Sequence, residues 1–199
     1  MTIMTKLPPD RKRRRLALRT LALPLLLAAA GTAPRALAQP AGAQALERRV
    51  KAAFLYKFLG YADFPSSAFA DAGAPLTIAV VGSDDMAAEL GRIAAGRMIA
   101  GRPIAVRQVR ENDAPPAVHL LFVSGTDSER AGRVLRSASG AFLTVTECEL
   151  GLRYGSVINF RIVDERVRFD VSLDAAEKKN VKLSSRLLTV ANRVQKGGS

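Results

Sequence analysis

The chain has 199 residues, with 30 Lys and Arg against 18 Asp and Glu, 48% hydrophobic content, one Cys and one His. A lone cysteine excludes an intramolecular disulfide, and one Cys with one His cannot build a closed structural zinc site, which takes four ligands drawn mainly from those residues. The formal charge of +12 invites a nucleic-acid reading, but most of the excess lies at one end of the chain and belongs to a targeting signal.

That signal opens with the basic stretch Arg11 to Arg15, continues through the apolar run Leu21 to Ala30, and reaches small-residue sites at Ala36-Leu37-Ala38 and Ala43-Gln44-Ala45. The order is that of a secretory signal peptide, expected over residues 1–38 with cleavage near Ala38. The run is too short to cross ~30 Å of hydrocarbon, which takes ~20 apolar residues. Arg14-Arg15-Leu16-Ala17-Leu18 also offers a twin arginine, so ordinary and folded-state export both stay open. Residues 1–38 hold eight Lys and Arg and one acid, leaving 22 against 17, a net of about +5. No basic stripe interleaved with aromatics remains, and no nucleic-acid partner is expected. A modest positive field suits an acidic protein face or anionic headgroups.

From Leu46, apolar residues at Leu46, Val50, Phe54 and Phe58, with Leu55 and Leu59 beside them, predict an amphipathic helix, and Glu47 and Lys51 are spaced for an i,i+4 pair. It ends near Asp63-Phe64-Pro65, because the residue before a proline is pushed out of helical conformation. Leu76 to Val81 reads as a strand, Gly82 as a turn, and Met86, Leu90 and Ile93 as the stripe of a following helix. Pro103 to Val109 and Val118 to Val123 are further strands, the latter apolar enough to be covered on both faces. Thr126-x-x-Glu129 is a capping-box pattern, Ala131, Val134, Leu135 and Ala138 supply the helical stripe after it, and Gly140 precedes a strand over Ala141 to Val145. Val157 to Val163 and Val167 to Leu173 form a hairpin turning at Asp164-Glu165-Arg166. Asp174-x-x-Glu177 begins a short helix, and Leu183, Leu187, Val190, Ala191 and Val194 mark a closing one.

These elements predict an α/β fold: a single domain over 46–195 with an open mixed, mostly parallel sheet, helices on both faces, a C-terminal hairpin plus helix, and a flexible tail at 196–199.

Chemistry-bearing motifs are sparse. Gly82 stands alone where a dinucleotide fingerprint needs three spaced glycines, and Asp84 and Asp85 put negative charge where a pyrophosphate would sit. His119, inside an apolar strand, is expected to be a hydrogen-bonded structural residue rather than a base. Ser124 and Ser156 lack the nucleophile-elbow glycines. Glu147 and Glu149 flank Cys148 with strand-like spacing and are expected to be solvated, with Cys148 a half-buried spectator. No catalytic residue, cofactor or metal is predicted.

Two segments carry a likeness to a known family: Val50-Lys51-Ala52-Ala53-Phe54-Leu55-Tyr56-Lys57-Phe58 running to Phe64-Pro65, and Arg166-Val167-Arg168-Phe169-Asp170-Val171 leading to Leu183-Ser184-Ser185-Arg186-Leu187-Leu188. With Ile78 to Gly82, Gly101-Arg102-Pro103, His119 to Ser124 and Phe142 to Val145 in order between them, the chain resembles the YfiR family over roughly Val50 to Val194. The resemblance implies a periplasmic, non-catalytic regulator that binds the periplasmic portion of an inner-membrane diguanylate cyclase and restrains it, lowering cyclic-di-GMP and biofilm formation. It also implies an α/β protein able to form a homodimer, release by an outer-membrane lipoprotein, and in some members a small ligand. Phe64 stands where the family often has Trp and Ser172 where it often has Asn, and the disulfide-forming cysteines of some members are absent, which argues against redox control of that kind. A periplasmic small-ligand sensor acting through a membrane histidine kinase is the competing expectation, resting on the open-sheet ligand position after Val81.

The expected partner or ligand surface is Arg166 and Arg168, two apart in a strand and on one side, with Tyr154 and Asn159 nearby, facing an acidic surface or small anion. A solvated charged edge that discourages sheet-to-sheet aggregation explains the same arginines. Tyr56 or Tyr61 of the first helix would extend the surface, and a core stripe explains their spacing equally well.

Overall fold

In the computed structural model, residues 41–197 are described, apart from Asn112 and 114–117. The expected leader and the last two tail residues therefore lie outside the described residues. The chain starts with α1 (Ala41–Leu59), a short β1 (Ala62–Asp63) and a single 3-10 turn, then runs β2 (Leu76–Val81), α2 (Asp84–Ala94), β3 (Met98–Ile99), β4 (Arg102–Val109), β5 (Leu120–Val123), α3 (Ser128–Ser137) and β6 (Leu143–Thr146). The hairpin β7 (Ile158–Val163) and β8 (Arg166–Ser172) follows, then α4 (Leu173–Lys178), β9 (Lys182–Leu183), α5 (Ser185–Val190) and β10 (Arg193–Gln195).

The main sheet has the order β10-β8-β7-β6-β5-β2-β4-β3. β4, β2, β5, β6 and β7 are mutually parallel, β8 runs antiparallel to β7, β10 parallel to β8, and β3 antiparallel to β4. Every residue of β2, β5 and β6 is buried, as expected of central strands covered on both faces. On one face Leu55, Phe58 and Leu90 of α1 and α2 pack on Ile78, Val80, Leu120, Phe122 and Val145, with Ala175 and Leu187 of α4 and α5 joining them. On the other, Ala131, Val134 and Leu135 of α3 cover Ala79, Val81, Leu121 and Val123. Beneath α1, Phe54, Phe58, Phe160 and Phe169 form an aromatic cluster with ring centroids 5.0 to 6.2 Å apart, each such pair worth ~0.5–1.5 kcal/mol beyond its buried area.

Three local expectations are corrected. The cap of α3 is Asp127, not Thr126: its carboxylate accepts from the amides of Glu129 and Arg130, each at 3.0 Å, the two and three positions on that an N-cap side chain satisfies. The closing helix stops at Val190, because Ala191 turns extended and Asn192 donates both its amide to Phe169 and its side chain to Asp170. The chain beyond it becomes β10, pairing with Asp170 to Ser172, so Val194 sits on an edge strand. The stripe of α1 is also only half a core stripe: Ala52, Leu55, Phe58 and Leu59 are buried, whereas Leu46 is 63% exposed. The hairpin itself turns as a two-residue loop with Asp164 and Glu165 both at positive φ, the conformation that matches the twist of the flanking strands.

Candidate functional site

The strand order changes direction around β2: the chain moves from β2 outward to β4, then returns to the other side of β2 as β5 and continues to β6. Such a reversal leaves a crevice at the carboxyl ends of the strands, where open α/β sheets bind ligands. Here a cleft of about 620 Å³ occupies that position, with Ser83, Ser124, Thr126 and Glu147 at the strand ends, Phe160 and Met86 supplying apolar wall, and Glu47, Arg48 and Lys51 of α1 closing it from above.

Its centre is an ion network. The Lys51 ammonium donates to Glu47 at 2.5 Å and to Glu147 at 2.6 Å, and the side chains of Lys51 and Glu147 are only 10% and 14% exposed. The Glu147 carboxylate also accepts from the Ser124 hydroxyl and the Gly125 amide, both at 2.7 Å. Burial by itself raises the Glu147 carboxyl, but the Lys51 charge and these donors more than offset it, and its pKa lies below the usual 4.5. Burial lowers Lys51 while the charge and hydrogen bonds of Glu147 and Glu47 raise it, with a net rise above 10.5. A carboxylate so occupied is a weak base, and the network works as a clamp holding α1 to the end of β6. Arg48, 3.0 Å from Asp85, ties α1 to α2 in the same region. The charged lining balances, with Glu47, Glu147 and Glu149 against Arg48, Lys51 and Arg161, which suits a neutral or zwitterionic polar ligand. The space against Gly82 is filled by the Arg130 guanidinium, which is itself paired to Glu111 at 2.7 Å.

On the other side of the same half of α1 lies a groove of about 810 Å³, lined by Leu46, Val50 and Phe54 of α1 and Ile162 and Val167 of the hairpin, and bordered by Glu47, Asp164, Glu165, Arg166 and Arg168. Leu46 and Ile162, 63% and 49% exposed, present apolar surface to water there. Arg168 stands opposite Arg161 in the hairpin register, on the strand face that alternates with that of Ile162 and Val167.

Of the four residues expected to form one surface, the structure brings together only Arg166 and Arg168. Asn159 is buried, accepts from Thr146 at 2.7 Å and donates to the Cys148 carbonyl at 2.9 Å: it satisfies the core where β6 meets β7. Tyr154 follows a loop that folds back across the sheet, and its ring seats on Gly132 of α3, where an added Cβ would come within 2.6 Å of it. Tyr56 is half-buried under Arg97, 5.3 Å from its ring. Two further expectations change: Glu147 is half-buried and paired, not solvated, and Cys148 is wholly buried among apolar side chains. Glu149 is exposed.

His119 is a buried structural residue, as its apolar surroundings imply. Its Nδ1 accepts from the Thr77 amide at 3.0 Å, and its ring stacks on Phe69 at 4.5 Å and meets the edge of Phe64 at 5.4 Å. Burial pushes its pKa below 6.5, with the Ala68 carbonyl opposing. It sits before β5 and Ser124 after it, so the length of the strand separates histidine and hydroxyl.

A family model described as YfiR/HmsC-like matches residues 48–192. The chain belongs to the YfiR/HmsC-like family. None of the curated proteins compared matches it. Proteins of the YfiR/HmsC-like family are periplasmic regulators rather than enzymes. The region matched by the YfiR/HmsC-like model holds Lys51, Ser124, Glu147 and the whole hairpin, while Leu46 and Glu47 precede it. Among the described residues no helix is long and apolar enough to cross a membrane, and no cluster of three metal-ligating side chains occurs.

Proposed function

We propose that this chain is exported to the periplasm and there binds the periplasmic portion of an inner-membrane diguanylate cyclase, restraining it and so lowering cyclic-di-GMP. The carrying observation is the groove between α1 and the hairpin, where Leu46 and Ile162 stand exposed beside Arg166 and Arg168. An apolar strip with a charged rim is the anatomy of a protein-docking face, and this rim carries both signs, Glu47, Asp164 and Glu165 beside Arg166 and Arg168, so its chemistry calls for an apolar partner segment flanked by charges of both signs. Membership of a family of regulators supports the same reading. Affinity capture of the tagged protein from solubilised membranes tests it. A cyclase should be retained by wild type and lost with Ile162→Arg and with Arg166→Glu/Arg168→Glu, substitutions at exposed positions that leave the Tm within ~2 °C. Retention of no cyclase by wild type, or equal retention by the variants, overturns it.

The cleft at the strand ends favours a second reading, a small-ligand sensor that signals through a membrane histidine kinase. Glu47 lines both cleft and groove, which gives a bound molecule a route to the docking face through α1. In a thermal-shift screen of amino acids and nucleotides, a saturating ligand at ~100 times its Kd adds ~2.7 kcal/mol. A response abolished by Glu147→Gln supports this reading, and no response across the screen counts against it.

A further inference from the structure

A pocket of about 390 Å³ that shares no lining residue with the cleft or the groove lies between the last turn of α3, the 152–155 loop and α4. Arg136, Arg153, Lys178 and Lys179 line it, with Tyr154 on one wall and Asp174 the single acid. Asp174 accepts at 2.8 Å from the Gly197 amide and offsets one of the four positive charges. Among the described residues, none of the four cations pairs with a carboxylate.

The pocket is built rather than incidental. Gly132 has no side chain, and an added Cβ there would meet the Tyr154 ring at 2.6 Å and Nη1 of Arg136 at 3.2 Å, so the glycine makes room for both on the wall. Lys179 is half-buried, its ammonium donating to the Ala138 carbonyl at 3.0 Å and lying 4.5 Å from the Phe142 ring. Carbonyl and ring stabilise the ammonium without neutralising it, and burial lowers its pKa below 10.5. Four cations against one carboxylate around one concavity leave a net positive charge and repel one another. A multiply charged anion relieves that repulsion, and the planar fork of arginine fits phosphate oxygens bidentately while lysine adds point charge.

We propose that this pocket binds a phosphate-bearing ligand, its phosphate group seated among Arg136, Arg153, Lys178 and Lys179. Two sources share that chemistry, a soluble phosphate compound and an anionic phospholipid headgroup. The site is separate from the docking groove and from the strand-end cleft, so it stands or falls independently of the partner.

The test titrates the purified protein with inorganic phosphate and with pyrophosphate at constant ionic strength, chloride as control, and sediments it with vesicles of phosphatidylglycerol and of phosphatidylcholine. Binding to a soluble phosphate appears as a saturable Tm rise of about 5–10 °C near 100 times Kd, and the headgroup source as sedimentation with phosphatidylglycerol alone. In either case the exposed pair Arg153→Gln/Lys178→Gln, with an unchanged circular dichroism spectrum, weakens binding at least tenfold, and Lys179→Met weakens it independently. The proposal is overturned if neither phosphate nor pyrophosphate nor phosphatidylglycerol binds better than its control, or if binding persists at full strength in the Arg153→Gln/Lys178→Gln protein.

Discussion

Replacing Lys51 with Met removes the ammonium shared by two carboxylates while keeping most of the side-chain volume. Breaking a buried ion pair from one side costs ~3–5 kcal/mol, because the remaining charge is left uncompensated. Two features place Lys51→Met at the lower end. Glu147 keeps its bonds from Ser124 and Gly125, each at 2.7 Å, and Glu47, with 26% side-chain exposure, can turn to water. A loss of ~3 kcal/mol corresponds to a Tm about 6–12 °C lower for a domain of this size. The pH dependence is specific to the pair. Glu147 titrates below its usual 4.5 in the folded protein, so its contribution is present above that pH and disappears as pH falls through the folded value. Lys51 titrates above 10.5, so its contribution is present below that pH and disappears as pH rises through its raised value. Urea unfolding of wild type and Lys51→Met should therefore differ most between about pH 5 and 10 and converge in acid, and Lys51→Met/Glu147→Met should recover much of the loss. A difference under ~1 kcal/mol at pH 7 would show a pair as weak as a solvated one and refute the clamp.

Two further outcomes follow from buried polar groups. His119 titrates below 6.5 when folded, so acidification protonates the unfolded state first and stability falls as pH drops from ~6.5 towards the folded value. His119→Gln, which keeps an acceptor for Thr77, should flatten that slope in urea titrations between pH 7.5 and 5.5, and a flat wild-type profile would contradict the assignment. Asn159→Ala leaves the Cys148 carbonyl and the Thr146 hydroxyl without their partner and should cost ~2–3 kcal/mol. Cyclase capture measured well below the lowered Tm should be unchanged, whereas a binding role for Asn159 would abolish it at wild-type stability.

The sheet was readable because its central strands, such as Leu76 to Val81 and Val118 to Val123, are apolar runs between turn signals. Short pairings escaped: β1 with β9, β3 and β10 are two or three residues long and depend on partners distant in sequence, which periodicity does not register. Val194 fitted a helical stripe equally well until Asn192 bonded to β8. At the site, Arg166 and Arg168 were legible from strand alternation, but Asn159 and Tyr154 were grouped with them by nearness in the chain, although Asn159 turns inward and Tyr154 crosses to α3. Lys51 and Glu147 escaped as a pair because 96 residues separate them. Glu47 and Lys51 look like ordinary helix-surface spacing, and the signal that Glu147 is half-buried, its position directly after a wholly buried parallel strand beside the reversal of strand order, emerges only with the topology.

We propose that this protein restrains a diguanylate cyclase by docking through the groove between α1 and the hairpin. Cellular cyclic-di-GMP, quantified in a deletion strain and in strains complemented with wild type or with Ile162→Arg at matched protein levels, tests it most directly. Docking through this groove predicts a rise on deletion, reversal by wild type and no reversal by Ile162→Arg. Unchanged cyclic-di-GMP on deletion, or full reversal by Ile162→Arg, would contradict it.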